Sequence, residues 1–201
     1  GDLWDSTLGI TTGSSNSGLT PKAGPSGAGL VQYTLPALAD GVAINVTYDS
    51  AGANDEGSTA LGLVYTGIEG LTVSLGSGND QSNSTVEADY TTMKASYAYG
   101  SITAAVSASE YDHTTASKDQ EVKSWGLTYT VTDDISVSYG RDTIENNTDT
   151  ADVEVDGITA SYTSGGMTVT AKKVGGDNVD GSSTGVNNNN EMFKLSASFA
   201  F

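Results

Sequence analysis

No cysteine occurs in the 201 residues, so no disulfide braces the fold and thiol usage reports no redox compartment. Cations are scarce: eight Lys and Arg against 25 Asp and Glu give a formal charge of −17, and Arg141 is the single arginine. Phosphate binding needs clustered Lys and Arg, which argues against nucleic acid as a partner. The single histidine, His113, stands in EYDHTTASKD, read as a loop, so a histidine metal site or a Ser-His-Asp triad lacks its parts. No apolar run approaches the ~18 residues of a membrane-spanning helix, and no apolar stripe recurs at the 3.6-residue helical period. No basic segment followed by an apolar core opens the chain as a secretory signal would. The start, GDLWDSTLG, does not read as a translation start; it fits either a mature form or a fragment of a longer chain, and a fragment is the expectation. Two calcium-like patterns also fall short. GGDNVDG (175–181) occurs once without nonapeptide spacing, and DNVDG misses the EF-hand register.

What the chain does have is Gly, Ser, Thr, Ala, Val and Tyr, with only three prolines and 36% hydrophobic residues. A disordered chain is poor in Val, Thr and Tyr, so this composition favours strands. Period-2 alternation predicts strands at about 28–35, 42–50, 58–66, 71–77, 88–99, 102–111, 122–131, 135–142, 154–163, 167–174 and 192–201. One row is apolar, as in Val42, Ile44, Val46 and Tyr48, or Trp125, Leu127, Tyr129 and Val131. The other is small and polar, as in Thr92, Lys94 and Ser96, or Thr168, Thr170 and Lys172.

Three further patterns converge on one architecture. Connections alternate: short ones at 37–41, 66–70, 99–101, 132–134 and 164–166, long ones at 50–57, 78–87, 112–121, 143–153 and 175–191. Nineteen of the acids lie in the long connections or at the strand ends that feed them. Aromatics fall at two levels: Tyr33, Tyr65, Tyr99, Tyr129, Tyr162, Phe199 and Phe201 near the short turns, and Tyr48, Tyr90, Tyr111, Trp125, Tyr139 and Phe193 near the long connections. Segregated loops, an acid-free middle and two aromatic levels are what a bilayer selects. Tyr as a good strand former is the plainer explanation of the aromatics alone. The fold read from these patterns is an all-β, transmembrane, antiparallel up-and-down β-barrel of eleven strands, or twelve.

With these strands placed, the sequence resembles the general bacterial porins, the trimeric outer-membrane channels of Gram-negative bacteria. The likeness rests on the terminal SASFAF strand ending in Phe201, on hairpins such as GLVQYTLPALADGVAINVTYDS, and on ISVSYGRDT. It covers residues 28–201 and is one of architecture and composition. The resemblance implies sixteen strands with a third loop folded into the barrel as a constriction. Residues 1–27, with GSSNSGLTPKAGPSGAG, would then end that loop, and five strands would lie upstream. A rival reading makes residues 2–12 (DLWDSTLGITT) a twelfth strand, closing an even-numbered barrel. An open edge in lipid leaves unpaired N–H and C=O groups, so a compact object predicts closure by this N-terminal segment. On either reading residues 1–201 are a single barrel domain, with 1–27 as constriction-loop remnant or closing strand and 28–201 as a meander of hairpins.

The resemblance also implies passive diffusion of small hydrophilic solutes through a water-filled channel, with no catalysis and no cofactor. It implies the bacterial outer membrane as location, a homotrimer when full-length, and a C-terminal strand read by the outer-membrane insertion machinery. On this reading Asp2 and Asp5 belong to the constriction loop and face basic wall residues. The lumen-facing cations are Lys94, Lys172 and Lys194, each flanked by Thr or Ser; a wall merely kept wet is the alternative to a selectivity role. The arginine cluster usual on the family's wall is not reproduced, since Arg141 lies on the apolar phase, suited to headgroups or to a rim pair with Asp142. The acidic loop end predicts a negative mouth and mild cation selectivity. Those acids are also candidates for divalent ions that bridge to lipopolysaccharide, with a solvated rim as the plainer alternative. Two other classes compete. A secreted or surface adhesin would share the Thr/Ser/Gly composition without needing two aromatic levels or a terminal Phe strand. A barrel enzyme would need an acid, a base and a nucleophile that His113 alone does not supply.

Overall fold

Alternating β-branched and small polar residues have one good backbone solution, an extended chain with two side-chain sets on opposite faces. The computed structural model describes residues 30–50, 57–83, 86–179, 181–184 and 189–200, and within them this solution recurs eleven times. The strands are β1 (Leu30–Thr34), β2 (Val42–Asp49), β3 (Ser58–Tyr65), β4 (Leu71–Asn83), β5 (Val86–Tyr99), β6 (Ile102–His113), β7 (Gln120–Thr132), β8 (Ile135–Asn146), β9 (Val153–Ser164), β10 (Met167–Asp177) and β11 (Asn190–Phe199). They form one sheet in chain order, each strand antiparallel to the next. Among the described residues β1 and β11 are its two edges. The two readings of residues 1–27, and with them Asp2 and Asp5, lie outside the described residues, as does Phe201.

Strands extend further toward the long connections than alternation of apolar residues suggests. The expected loop over 78–87 is largely ladder: Gly78 pairs with Tyr90, Asn79 with Asp89 and Asp80 with Ala88, before the register shifts between Asp80 and Asn83. Beyond the apolar stretch a hairpin keeps its backbone hydrogen bonds whatever its side chains, so hydropathy alone places its end too early. At the other end the turns are tight and glycine-dependent. Gly70 sits at φ +76°, and a Cβ there would lie 2.2 Å from the Ala98 carbonyl oxygen. The β7–β8 turn uses a hydroxyl instead: Thr132 Oγ1 accepts from the N–H groups of Asp134 (3.3 Å) and Ile135 (3.1 Å).

The two faces differ as the alternation predicts, but in an inverted sense relative to a soluble sheet. Val46, Leu61, Leu75, Met93, Val106, Leu127, Ile158, Leu195 and Phe199 are all exposed, and all occupy one face. The buried side chains are on the other, polar face, and the buried hydrophobic ones only at the end with the long connections. There Val122, Ile144, Val153, Val155 and Val174 form a core with Val179 from the β10–β11 connection, and Met192 packs against it.

Candidate functional site

Direct cross-strand partners share a face, so the pairing registers turn the polar face into a set of rows. Nearest the short turns are hydroxyl rows: Ser136–Ser161–Thr170–Ser196 and Thr163–Thr168–Ser198. Within them Ser161 and Thr170 are hydrogen-bonded at 3.2 Å, and Thr163 and Thr168 at 3.0 Å. The next row, Thr103–Thr128–Ser138–Thr159–Lys172–Lys194, ends in two lysines directly opposed across β10 and β11. Above it Gly126, Gly140 and Gly157 pair in line and let the wall recede. Then comes Ser74–Lys94–Ser107–Ser124–Asp142, a cation and a carboxylate separated by two serines. A recess of about 220 Å³ lies along these last three rows, lined by Lys94, Ser107, Ser124 and Asp142 on one side of the glycine backbone and by Thr103, Thr128, Ser138 and Thr159 on the other.

Of the expected site residues, Lys94, Lys172 and Lys194 thus all stand on the polar face. Lys94 lines the recess, and Lys172 and Lys194 share the neighbouring row. Asp142 was not expected there. It is 6% exposed and faces the recess, because it shares its parity with Ser138 and Gly140. The same parity corrects the expected Arg141–Asp142 rim pair: consecutive strand residues point to opposite faces. Arg141, on the apolar side of β8, pairs with Glu154 of the adjacent β9 instead. Both partners are about 40% exposed, so Glu154→Gln is expected to change stability by less than about 1 kcal/mol in a denaturant titration.

His113 also needs correction. It is not in a loop but ends β6 on the polar face, 9% exposed. Its Nδ1 accepts from the Thr115 N–H at 2.8 Å and its own N–H donates to Asp119 Oδ1 at 2.8 Å, so it shapes the 114–119 connection. Among the described residues no three His, Asp or Glu side chains converge as a metal site.

On the apolar face Tyr33, Tyr65, Tyr99, Tyr129, Tyr162 and Phe199 stand near the short turns, and Trp125 stands at the far level. Tyr97 and Tyr99 stack with ring centroids 6.4 Å apart, and Trp125 tilts onto Tyr139 at 5.4 Å. Tyr90 and Tyr111, expected at the far aromatic level, instead pair with each other on the polar face. Apolar character on the outer face runs in β7 from Val131 to Trp125, about 20 Å at ~3.3 Å per residue. It stops sharply at a belt of charge: Asp89 opposite Asp112, Glu110 opposite Glu121, Glu121 opposite Glu145, and Glu154 opposite Asp177. Aromatic borders and a charged belt of this kind bound the lipid-facing band of membrane barrels.

Comparison with known proteins agrees with this geometry. The family model described as Gram-negative porin matches residues 1–182. Comparison with curated proteins gives no match. Among solved structures, an anion-selective porin from Comamonas acidovorans is similar at TM-score 0.59 and 14% identity, over 74% of this chain and 48% of that one. A porin refined at 1.8 Å resolution is similar at TM-score 0.63 and 16% identity, over 96% of this chain and 66% of that one. The trimer form of OmpT, an outer membrane protein of Vibrio cholerae, is similar at TM-score 0.57 and 20% identity, over 85% of this chain and 64% of that one. The chain therefore spans about half to two thirds of the length of these structures.

Proposed function

The chain belongs to the Gram-negative porin family, and from that premise we propose that it walls a water-filled channel for passive diffusion of small hydrophilic solutes. Its location is the bacterial outer membrane. Family and fold point to a channel rather than an enzyme. The observation that carries the reading is the inverted distribution of side chains: large hydrophobics exposed on one face, with Ser, Thr, Gly and Lys lining the other. A surface adhesin without a pore would have no use for that inversion. Heat-modifiable gel mobility together with stepwise conductance in planar bilayers tests the proposal; a folded, inserted protein that passes no current would sink it.

Mild cation selectivity belongs to the same proposal and rests on this chain's own charges. The excess of acids toward the long connections makes that end negative, while Lys94, Lys172 and Lys194 on the wall act in the opposite sense, Lys94 in one row with Asp142. Screening lengths shrink from about 10 Å at 0.1 M salt to about 3 Å at 1 M. The reversal potential in a salt gradient is therefore expected to have the cation-selective sign at low salt and to fade as salt rises. An anion-selective sign at low salt would show that the wall lysines dominate. The Comamonas porin's anion preference does not decide the matter at 14% identity.

Four partners complete the proposal. The apolar face meets lipid, and the outward carboxylate belt meets lipopolysaccharide headgroups, where divalent cations would offset the opposed acids by bridging to lipid phosphate. A homotrimer of the full-length protein is proposed by analogy with the OmpT trimer form. Recognition of the C-terminal strand by the insertion machinery would engage β11, whose Phe193, Leu195 and Phe199 face outward and whose Lys194, Ser196 and Ser198 face the wall side.

A further inference from the structure

The recess in the wall has a shape and a charge pattern that a merely wet surface does not require. Along its floor Gly126, Gly140 and Gly157 pair in line, so the backbone itself is the surface. One side carries hydroxyls, Thr128 and Ser138 among them. The other is the row Lys94–Ser107–Ser124–Asp142. Successive rows lie two residues apart along each strand, so either side stands about 6.6 Å from the floor. The recess is thus a groove across the strands from β5 to β8, with an ammonium at one end and a carboxylate at the other. Three strand spacings of ~4.8 Å set the α-carbons of Lys94 and Asp142 about 14 Å apart.

Hydrogen-bonding capacity in the groove is left over. Ser124 Oγ is buried and makes no hydrogen bond among the described residues. Lys94 is half-buried and enters no ion pair among them. Native structures satisfy buried polar atoms almost without exception, so an unsatisfied one needs a ligand or solvent to account for it. The charges then decide which ligand. A simple anion gains at Lys94 and loses at Asp142, and a simple cation does the reverse. A neutral polyol gains hydroxyls alone. A solute bearing both charges gains at both ends, and each contact is a charge-assisted hydrogen bond. Asp142, 6% exposed, is little screened by bulk water, which strengthens its half of that pairing.

We propose that this groove binds short zwitterionic peptides, with the peptide's carboxylate on Lys94 and its ammonium on Asp142. The peptide's amide groups meet the hydroxyls of Ser124 and Thr128 over the glycine floor. Three extended residues span at most about 10 Å. Their two ends therefore lie between charges whose α-carbons are about 14 Å apart. A recess of about 220 Å³ holds a peptide of that length when its side chains are small. The proposal rests on the channel reading above and deepens it, since it gives the wall one solute class whose passage saturates.

Two measurements at neutral pH test it: equilibrium dialysis of triglycine against the folded protein in detergent, and block of the current by triglycine in planar bilayers. Saturable binding and a matching saturable block are expected. N-acetyl-triglycine lacks the ammonium and triglycine amide lacks the carboxylate, and each is expected to bind about tenfold more weakly. Lys94→Gln is expected to weaken triglycine about tenfold without weakening the amide. Lys194→Gln removes the same charge from the neighbouring row and is expected to leave triglycine binding as it was. Heat-modifiable mobility confirms that each variant is folded. Equal binding of the three peptides by the unaltered protein would overturn the proposal without relying on any variant. So would a block that rises linearly with triglycine, or equal losses in Lys94→Gln and Lys194→Gln. Absence of current from the inserted protein would instead refute the channel reading, while dialysis still decides the site.

Discussion

Leu127→Arg is expected to lower folding stability in a bilayer by about 2–4 kcal/mol, whereas Thr128→Arg, one residue along, leaves it within about 0.5 kcal/mol. Leu127 is 46% exposed in the middle of β7, between Trp125 and Tyr129, and its cross-strand partners Ala104 and Tyr139 share its face. In water, exchanging an exposed leucine for arginine would be harmless or favourable. In hydrocarbon the guanidinium must drag water inward or distort the bilayer, and that cost falls only where lipid is. Thr128 stands opposite Thr103 and Ser138 on the polar face, where an arginine meets water and instead lowers conductance by bulk and cation preference by charge. Urea titration of both variants in lipid vesicles, alongside their currents, checks the pair. Equal losses, or a larger loss for Thr128→Arg, would place lipid on the wrong face and undo the channel reading.

That pair of neighbours shows why the fold was legible in the sequence. A strand's side-chain period is 2, so every residue's face follows from its parity once one residue per strand is placed. The same rule explains where the structure departs from simple alternation. Tyr90 and Tyr111 look like aromatic belt residues by their distance from the turns, but Tyr90 has the parity of Lys94 and Tyr111 that of Ser107. Level along the strand is not enough; face and level must both be read. Asp142 follows the same rule: adjacency in sequence suggests a rim pair with Arg141, but parity sets the two on opposite sides.

Less legible in the sequence is a change of phase within single strands. In β9, VEVDGITASYTS, residues beyond Gly157 toward the turn put Ile158, Ala160 and Tyr162 outward and Thr159 and Ser161 inward. On the other side of Gly157 the chemistry reverses: Glu154 and Asp156 are outward, and Val153 and Val155 inward. β7 reverses likewise, with Trp125 and Leu127 outward below Ser124, and Lys123 and Glu121 outward above it while Val122 turns inward. A strand that leaves lipid for water exchanges its outer solvent, so its outer face must become charged. Its inner face can then hold an apolar core only if something covers it. The sequence contains this switch as an inversion of the alternation without a break in the strand. Hydropathy averaged along a segment cannot register it, so the expected strands 122–131 and 154–163 include residues 122–124 and 154–157 without showing that their faces have exchanged character. What parity could not supply was the cover: Val179 lies beyond β10, where no periodicity sets the direction of its side chain.

The switch has a consequence that separates two positions on one face of one strand. Val174→Asp is expected to destabilise the protein by about 3 kcal/mol or more, while Thr170→Asp, four residues away on the same side of β10, changes stability by no more than about 0.5 kcal/mol. Val174 is 0% exposed between Gly157 and Met192, within the valine cluster. A carboxylate there has no described partner in the cluster, and its burial removes water that no side-chain donor replaces. Thr170 stands between Ser161 and Ser196, among hydroxyls able to donate to an added carboxylate. If the polar face were water-lined along its whole length, both substitutions would be neutral. Denaturant titration of the two variants decides between these descriptions, and protease cutting within 147–152 adds a local readout, since loss of the core would free the connections that Val179 and Gly181 hold. Equal stability of the two variants would show that the mouth end is wet wall. A loss confined to Val174→Asp, with cutting in that connection, would show that the strand wall passes from channel lining to protein core near the level of Gly157.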